Sequence, residues 1–141
     1  MLRAAVTGAR AGAAAKGLPA PRVLAVTVLT SLSAAEVTAV GWSGTPAEAV
    51  LRLGTLALRA GVDGAVCSPR EAEGLRRACG PNFFLCTPGI RSAGEALGDQ
   101  SRAETPAFAV KAGADLLVVG RPIHAAADPA SAARALVSEL T

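Results

Sequence analysis

The 141-residue chain has no tyrosine, one tryptophan, three phenylalanines and one histidine. Aromatics at 3% leave no set of rings for bases to stack on, which excludes a single-strand nucleic-acid surface. Charged residues are scarce, at 18%, and a net charge of +3 is too diffuse for DNA binding, although it suits a small anion. Cys67, Cys79 and Cys86 are odd in number and form no Cys-x-x-Cys pair. They read as reduced, buried cytosolic thiols, not as disulfides or zinc ligands. No apolar run approaches the ~20 residues of a membrane span, so no membrane partner is expected. Acidic residues are missing altogether from Met1 to Ala35, an Ala-rich segment carrying Arg3, Arg10, Lys16 and Arg22. That composition fits a transit peptide. It fits equally a helix with Leu2, Ala5, Val6 and Ala13 near helical spacing and Gly17 as its stop. The segment lacks the long apolar core of a secretory signal, and the helix is the reading adopted.

What is present is apolar. Hydrophobic residues, mostly alanine, make up 51% of the chain, enough for a single domain over residues 1–141 with a real core. After Gly17 and the Pro19/Pro21 linker, Val23–Leu29 is a β-rich run. Ser33-Ala34-Ala35-Glu36, Thr45-Pro46-Ala47-Glu48 and Ser68-Pro69-Arg70-Glu71 are capping boxes, each opening a helix. Gly64–Cys67 and Phe83–Cys86 read as strands. Thr105-Pro106 caps a further helix, which Gly113 stops, and a last helix is predicted over roughly Pro129 to Leu140. The order is therefore one helix followed by four strand–helix units. Such alternation, without hairpin signals, predicts an α/β fold of parallel strands with right-handed crossovers. Polar, Gly and Pro residues cluster after each strand, where ligand sites of parallel folds sit. The polar stretch Ser92–Glu104 is long for a connection and is a candidate lid.

The chain is arranged around Ala114–Ile123. Leu116–Val119 reads as a strand buried on both faces. Gly120 ends it and lets the backbone approach a ligand, Arg121 follows as a permanent cation, and Asp128-Pro129 caps the next helix. Strand, Gly-Arg and helix together suit a phosphate, held by backbone N–H groups and a guanidinium fork. The alternative is a turn in which Arg121 packs or pairs on the surface.

Five blocks in order, Val26–Ser31, Asp63–Ser68, Thr87–Arg91, Gly98–Gln100 and Val119–Ile123, resemble bacterial orotidine 5′-phosphate decarboxylase, and the resemblance covers nearly the whole chain. It implies a TIM barrel that converts orotidine 5′-monophosphate to UMP and CO₂ in pyrimidine biosynthesis, without cofactor or metal, in the cytoplasm and as a homodimer. By resemblance, Thr30 touches the substrate after the fifth strand and Arg91 binds it after the seventh. Gln100 is the lid glutamine that reaches the phosphate, and Gly120 and Arg121 form the main phosphate grip after the eighth. The family's chemistry rests on an Asp-x-Lys-x-x-Asp motif on an early strand. The only lysines here, Lys16 and Lys111, sit in no such motif, so no catalytic residue is assigned within the chain.

Met1–Ala5 resembles the helix after the fourth strand. The expectation is thus a partial barrel, the last four strand–helix units preceded by one helix, from a truncated gene model or a split gene. A whole barrel needs ~250 residues. Such a chain is expected to bind phosphate weakly and not to decarboxylate. Its sheet would leave one apolar face open, so the isolated chain is expected to dimerise or aggregate unless Leu2–Lys16 folds over that face. Two other readings are a non-catalytic phosphate-binding or assembly half completed by another chain, and a sugar-phosphate decarboxylase of the same superfamily. His124 is expected to be solvated or to start a helix, Cys67 to pack, Trp42 to cover the rim, and Asp63 and Asp115 to serve turns opposite the site.

Overall fold

A computed structural model describes residues 1–92 and 103–140. The chain opens with helix α1 (Leu2–Ala15), followed by strand β1 (Leu24–Val26) and helices α2 (Ala34–Ala39) and α3 (Pro46–Arg59). Strand β2 (Gly64–Val66) leads into α4 (Pro69–Cys79), and β3 (Phe84–Thr87) precedes α5 (Pro106–Lys111). Strand β4 (Leu116–Leu117), the four-residue α6 (Arg121–His124) and α7 (Pro129–Ser138) follow.

The helices begin where the sequence places caps. The Ser33 hydroxyl accepts from the Glu36 N–H at 3.3 Å, and the Glu36 carboxylate accepts from the Ser33 N–H at 2.8 Å. Thr45 and Glu48 repeat this at 3.2 and 2.7 Å. Inside the protein, the Glu71 carboxylate accepts from both the N–H and the hydroxyl of Ser68, and the Glu71 N–H donates to the Ser68 carbonyl, so that the start of α4 also satisfies a buried carboxylate. Asp128 caps α7 by accepting from the Ala130 and Ser131 N–H groups, each at 3.0 Å. Gly61 (φ 84°) and Gly113 (φ 99°) take the left-handed conformation just past α3 and α5, as a helix stop requires.

All four strands are parallel, in the order β1-β2-β3-β4. The row Ala25, Ala65 and Leu85 is buried, and it joins a cluster that includes Val6 of α1, Val50 and Ala57 of α3, and Leu75 of α4. Since alternate residues of a strand face opposite ways, the row Val26, Val66, Cys86 and Leu116 lies on the other face. Val26 is 62% exposed with α1 in place, so α1 packs on the core side and does not close this face.

At the N-terminal ends of the strands, two aspartates make the same latch. Asp63 donates its N–H to the Val23 carbonyl at 2.9 Å and accepts the Val23 N–H on its side chain at 2.7 Å. Asp115 does both with Leu85, at 2.9 and 2.7 Å. Arg76 of α4 binds the Asp115 carboxylate at 2.6 Å and donates to the carbonyls of Gly80, Pro81, Phe83 and Gly113. These latches fix the register of parallel strands, which no tight hairpin among the described residues sets.

The parallel partial barrel agrees with the sequence reading; two details do not. Leu116 and Val118 are 48% and 46% exposed, so the last strand is not buried on both faces. It is an edge strand of the sheet, with β3 as its one strand neighbour among the described residues. In addition, Arg121 opens α6, an extra helix, because Gly120 caps it and Pro122 brings the φ that a first turn needs.

Candidate functional site

Thr30, Arg91 and the Gly120–Arg121 pair lie beyond the C-terminal ends of β1, β3 and β4, hence on one rim of the sheet. Two threonines tie the strands together below that rim. The Thr27 hydroxyl donates to the Val66 carbonyl at 2.7 Å, and the Thr87 hydroxyl to the Leu116 carbonyl at 3.2 Å. Thr30 is buried.

Arg91 is also buried, and its Nη1 donates to the Ile90 carbonyl at 2.7 Å. Its backbone is held by Glu104, which returns to the rim as a parallel bridge opposite Ile90. The Glu104 N–H donates to the Gly89 carbonyl and the Arg91 N–H to the Glu104 carbonyl, both at 3.1 Å. The Glu104 carboxylate accepts from Arg70 Nε of α4 at 2.7 Å. The sequence reading placed Arg70 in a capping box and Glu104 at the end of the candidate lid but did not pair them. They lie 34 residues apart, and no local motif joins them.

Gly120 accepts from the Ile123 and His124 N–H groups at 2.9 and 3.1 Å. Among the described residues, a methyl group built on Gly120 would meet only His124 Cδ2, at 4.0 Å, so they leave the space above this backbone open. Arg121 is exposed as the first residue of α6, and His124 is exposed at the end of the same short helix. Gln100, with Gly98 and Asp99, lies outside the described residues. β3 and β4 are neighbours, so the segments bearing Arg91 and Arg121 leave adjacent strands. Two guanidinium-bearing segments and an unobstructed glycine suit an anion.

Cys67 is packed in the core, as expected, and Trp42 is half-buried against the same cluster. Burial pushes the Cys86 thiol up from its ordinary value, which keeps it protonated and unreactive at neutral pH. Among the described residues, no group of three or more His, Cys, Asp or Glu side chains could hold a metal ion. No helix among them is long and apolar enough to cross a membrane.

Parallel strand–helix units, with their polar loops gathered at the strands' C-terminal ends, define a partial (β/α) barrel. A family model described as orotidine 5′-phosphate decarboxylase / HUMPS matches residues 1–136. The chain belongs to that family. It is 56% identical over 140 residues to an orotidine 5′-phosphate decarboxylase of Anaeromyxobacter dehalogenans, and 51% identical over 141 residues to one of Moorella thermoacetica. Each match covers 99% of this chain, but only 58% and 56% of the relative. The crystal structure of orotidine 5′-phosphate decarboxylase from Lactobacillus acidophilus superposes on the whole chain with a TM-score of 0.80 at 38% identity, over 58% of its own length. The chain thus spans a little over half the length of the relatives it matches.

Proposed function

We propose that this chain, as one domain, is the phosphate- and lid-bearing part of an orotidine 5′-phosphate decarboxylase. The observation that carries this is the common rim: Thr30, Arg91 and Gly120–Arg121 all lie beyond the C-terminal ends of parallel strands. In this reading Gly120 and Arg121 hold the 5′-phosphate, the first by backbone approach and the second by a charge-assisted fork. Gln100 reaches the same phosphate from the lid, while Arg91 and Thr30 contact the rest of the nucleotide. The phosphate is remote from the bond that breaks, so its binding energy organises the closed site and does none of the bond-breaking itself. No cofactor or metal takes part. The homodimer and the cytoplasmic location implied by the resemblance belong to the completed enzyme.

The chain has no Asp-x-Lys-x-x-Asp run, and on this reading it binds nucleotide phosphate weakly and does not decarboxylate alone. The test is titration of the pure chain with UMP and with inorganic phosphate, alongside an assay for loss of orotidine 5′-monophosphate. Weak, salt-sensitive binding without turnover is expected. Measurable turnover by the 141 residues would overturn the assignment of chemistry to residues outside them. A sugar-phosphate substrate is the weaker reading, since the curated relatives reported above are named for the orotidine reaction. Preference for a hexulose phosphate over UMP would reverse that order.

A further inference from the structure

Glu104 stands where three parts of the rim meet. Its backbone lies against the segment after β3, with its N–H on the Gly89 carbonyl and its carbonyl on the Arg91 N–H. The next residue, Thr105, caps α5 by accepting from the Phe108 N–H at 3.3 Å, and Pro106 behind it is fully buried. The Glu104 side chain crosses to α4, where Arg70 Nε donates to its carboxylate at 2.7 Å. Arg70 starts from a fixed point. It lies in the first turn of α4 between Pro69 and Glu71, and Ser68, Pro69 and Glu71 are all buried.

The fold of α4 does not depend on this pair. Its start is held by Ser68 and Glu71, and its inner face packs through Ala72 and Leu75. The Arg70 side chain is 51% exposed, where an ion pair adds little to stability. What the pair adds is geometric. It ties α4 to the residue whose backbone holds Arg91. Arg91 in turn is buried, with its guanidinium bonded back to the Ile90 carbonyl. Close packing leaves a buried side chain few alternatives, so its tip follows its backbone.

We propose that Arg70 and Glu104 are positioning residues for Arg91. Their ion pair sets the place of the Gly89–Arg91 backbone on the rim, and with it affinity for the part of a nucleotide beyond its phosphate. This rests on the reading in which Arg91 contacts that part while Gly120 and Arg121 hold the phosphate. Glu104 bonds to the segment after β3, whereas Gly120 and Arg121 follow β4. Loss of the pair should therefore affect one part of the ligand and spare the other.

The test compares the 141-residue chain with Arg70→Met, Glu104→Met and the double variant. Methionine keeps much of each side chain's length and removes its charge. Amide hydrogen exchange is followed at Arg91 and Glu104, with Cys67 and Leu85 in the sheet as controls. UMP and inorganic phosphate are titrated into each protein. In the single variants, exchange at Arg91 and Glu104 is expected to quicken by about two- to fivefold and UMP binding to weaken by a similar factor, the scale of a partly exposed ion pair. Phosphate binding and the control amides should not change. The double variant should be no worse than either single one, since each already breaks the pair. Unchanged exchange would overturn the proposal, because the pair would then hold nothing. Quickened exchange with UMP affinity intact would overturn the positioning role and leave a structural tie. Equal loss of UMP and phosphate binding would also overturn it, by showing a general loosening of the rim. An unsubstituted chain that binds neither ligand would remove the proposed function, and the positioning role would fall with it.

Discussion

Arg121 and Gln100 are proposed as site residues because their blocks resemble a family, and Gly120–Arg121 also because a strand, a glycine and a cation in sequence suit a phosphate. In the completed enzyme, Arg121→Ala is expected to raise KM by roughly 10- to 100-fold, since hydrogen bonds to charged groups contribute about 1.5–3 kcal/mol. Gln100→Ala should cost only about 0.5–1.5 kcal/mol, as a neutral hydrogen bond does. Equal losses in steady-state kinetics would refute this division between grip and lid. Arg76 was not legible. It looks like one more arginine on a charged helix face, yet it joins the carbonyls of Gly80, Pro81, Phe83 and Gly113 to the Asp115 carboxylate. Those partners are scattered over the chain up to 39 residues away, so only the folded backbone brings them to one guanidinium. Arg76→Met keeps the stem and leaves the polar groups unpaired. Urea unfolding should find it destabilised by about 2–4 kcal/mol, with the β3–β4 ladder losing exchange protection first.

The helices were readable because caps are local. Ser33, Thr45, Ser68, Thr105 and Asp128 each open a helix where expected. The strands were readable in position but not in extent, and α6 was missed because a four-residue helix leaves no periodic pattern. Burial of β4 was misread because Leu116–Val119 looks the same in sequence whether its neighbours are present or not.

Backbone and side-chain hydrogen bonds from Ser33 and Thr45 hold Glu36 and Glu48 below the usual glutamate range. A carboxylate depressed in the folded state contributes stability above its unfolded pKa and loses it as pH falls through the folded one. The starts of α2 and α3 should therefore loosen below about pH 4.3. Far-UV circular dichroism during acid titration should show a shallower acid limb in the double variant Glu36→Gln, Glu48→Gln. Close packing between helices makes a different demand. A methyl group on Gly54 of α3 would overlap Leu75 of α4, which is fully buried. Gly54→Ala is accordingly expected to lower stability by about 1–3 kcal/mol despite its better helix propensity, a net loss that thermal unfolding would detect.

The molecule as a whole is a sheet secured on one face and at one end. On its own, with Val26, Leu116 and Val118 in water, it should self-associate without fixed stoichiometry, its sedimentation coefficient rising with concentration. A concentration-independent monomer would contradict this. The two aspartate latches sit where the strands begin, while the candidate anion site sits where they end. β4, which carries Gly120 and Arg121, is a two-residue strand at the sheet's edge. Occupancy of that site and completion of the edge are then thermodynamically linked. If seating a neighbouring strand against β4 steadies the Gly120–Arg121 turn, an anion bound at that turn must favour the seating of the strand by the same factor. A bound anion would then act at this edge of the sheet as a fastener as well as a ligand.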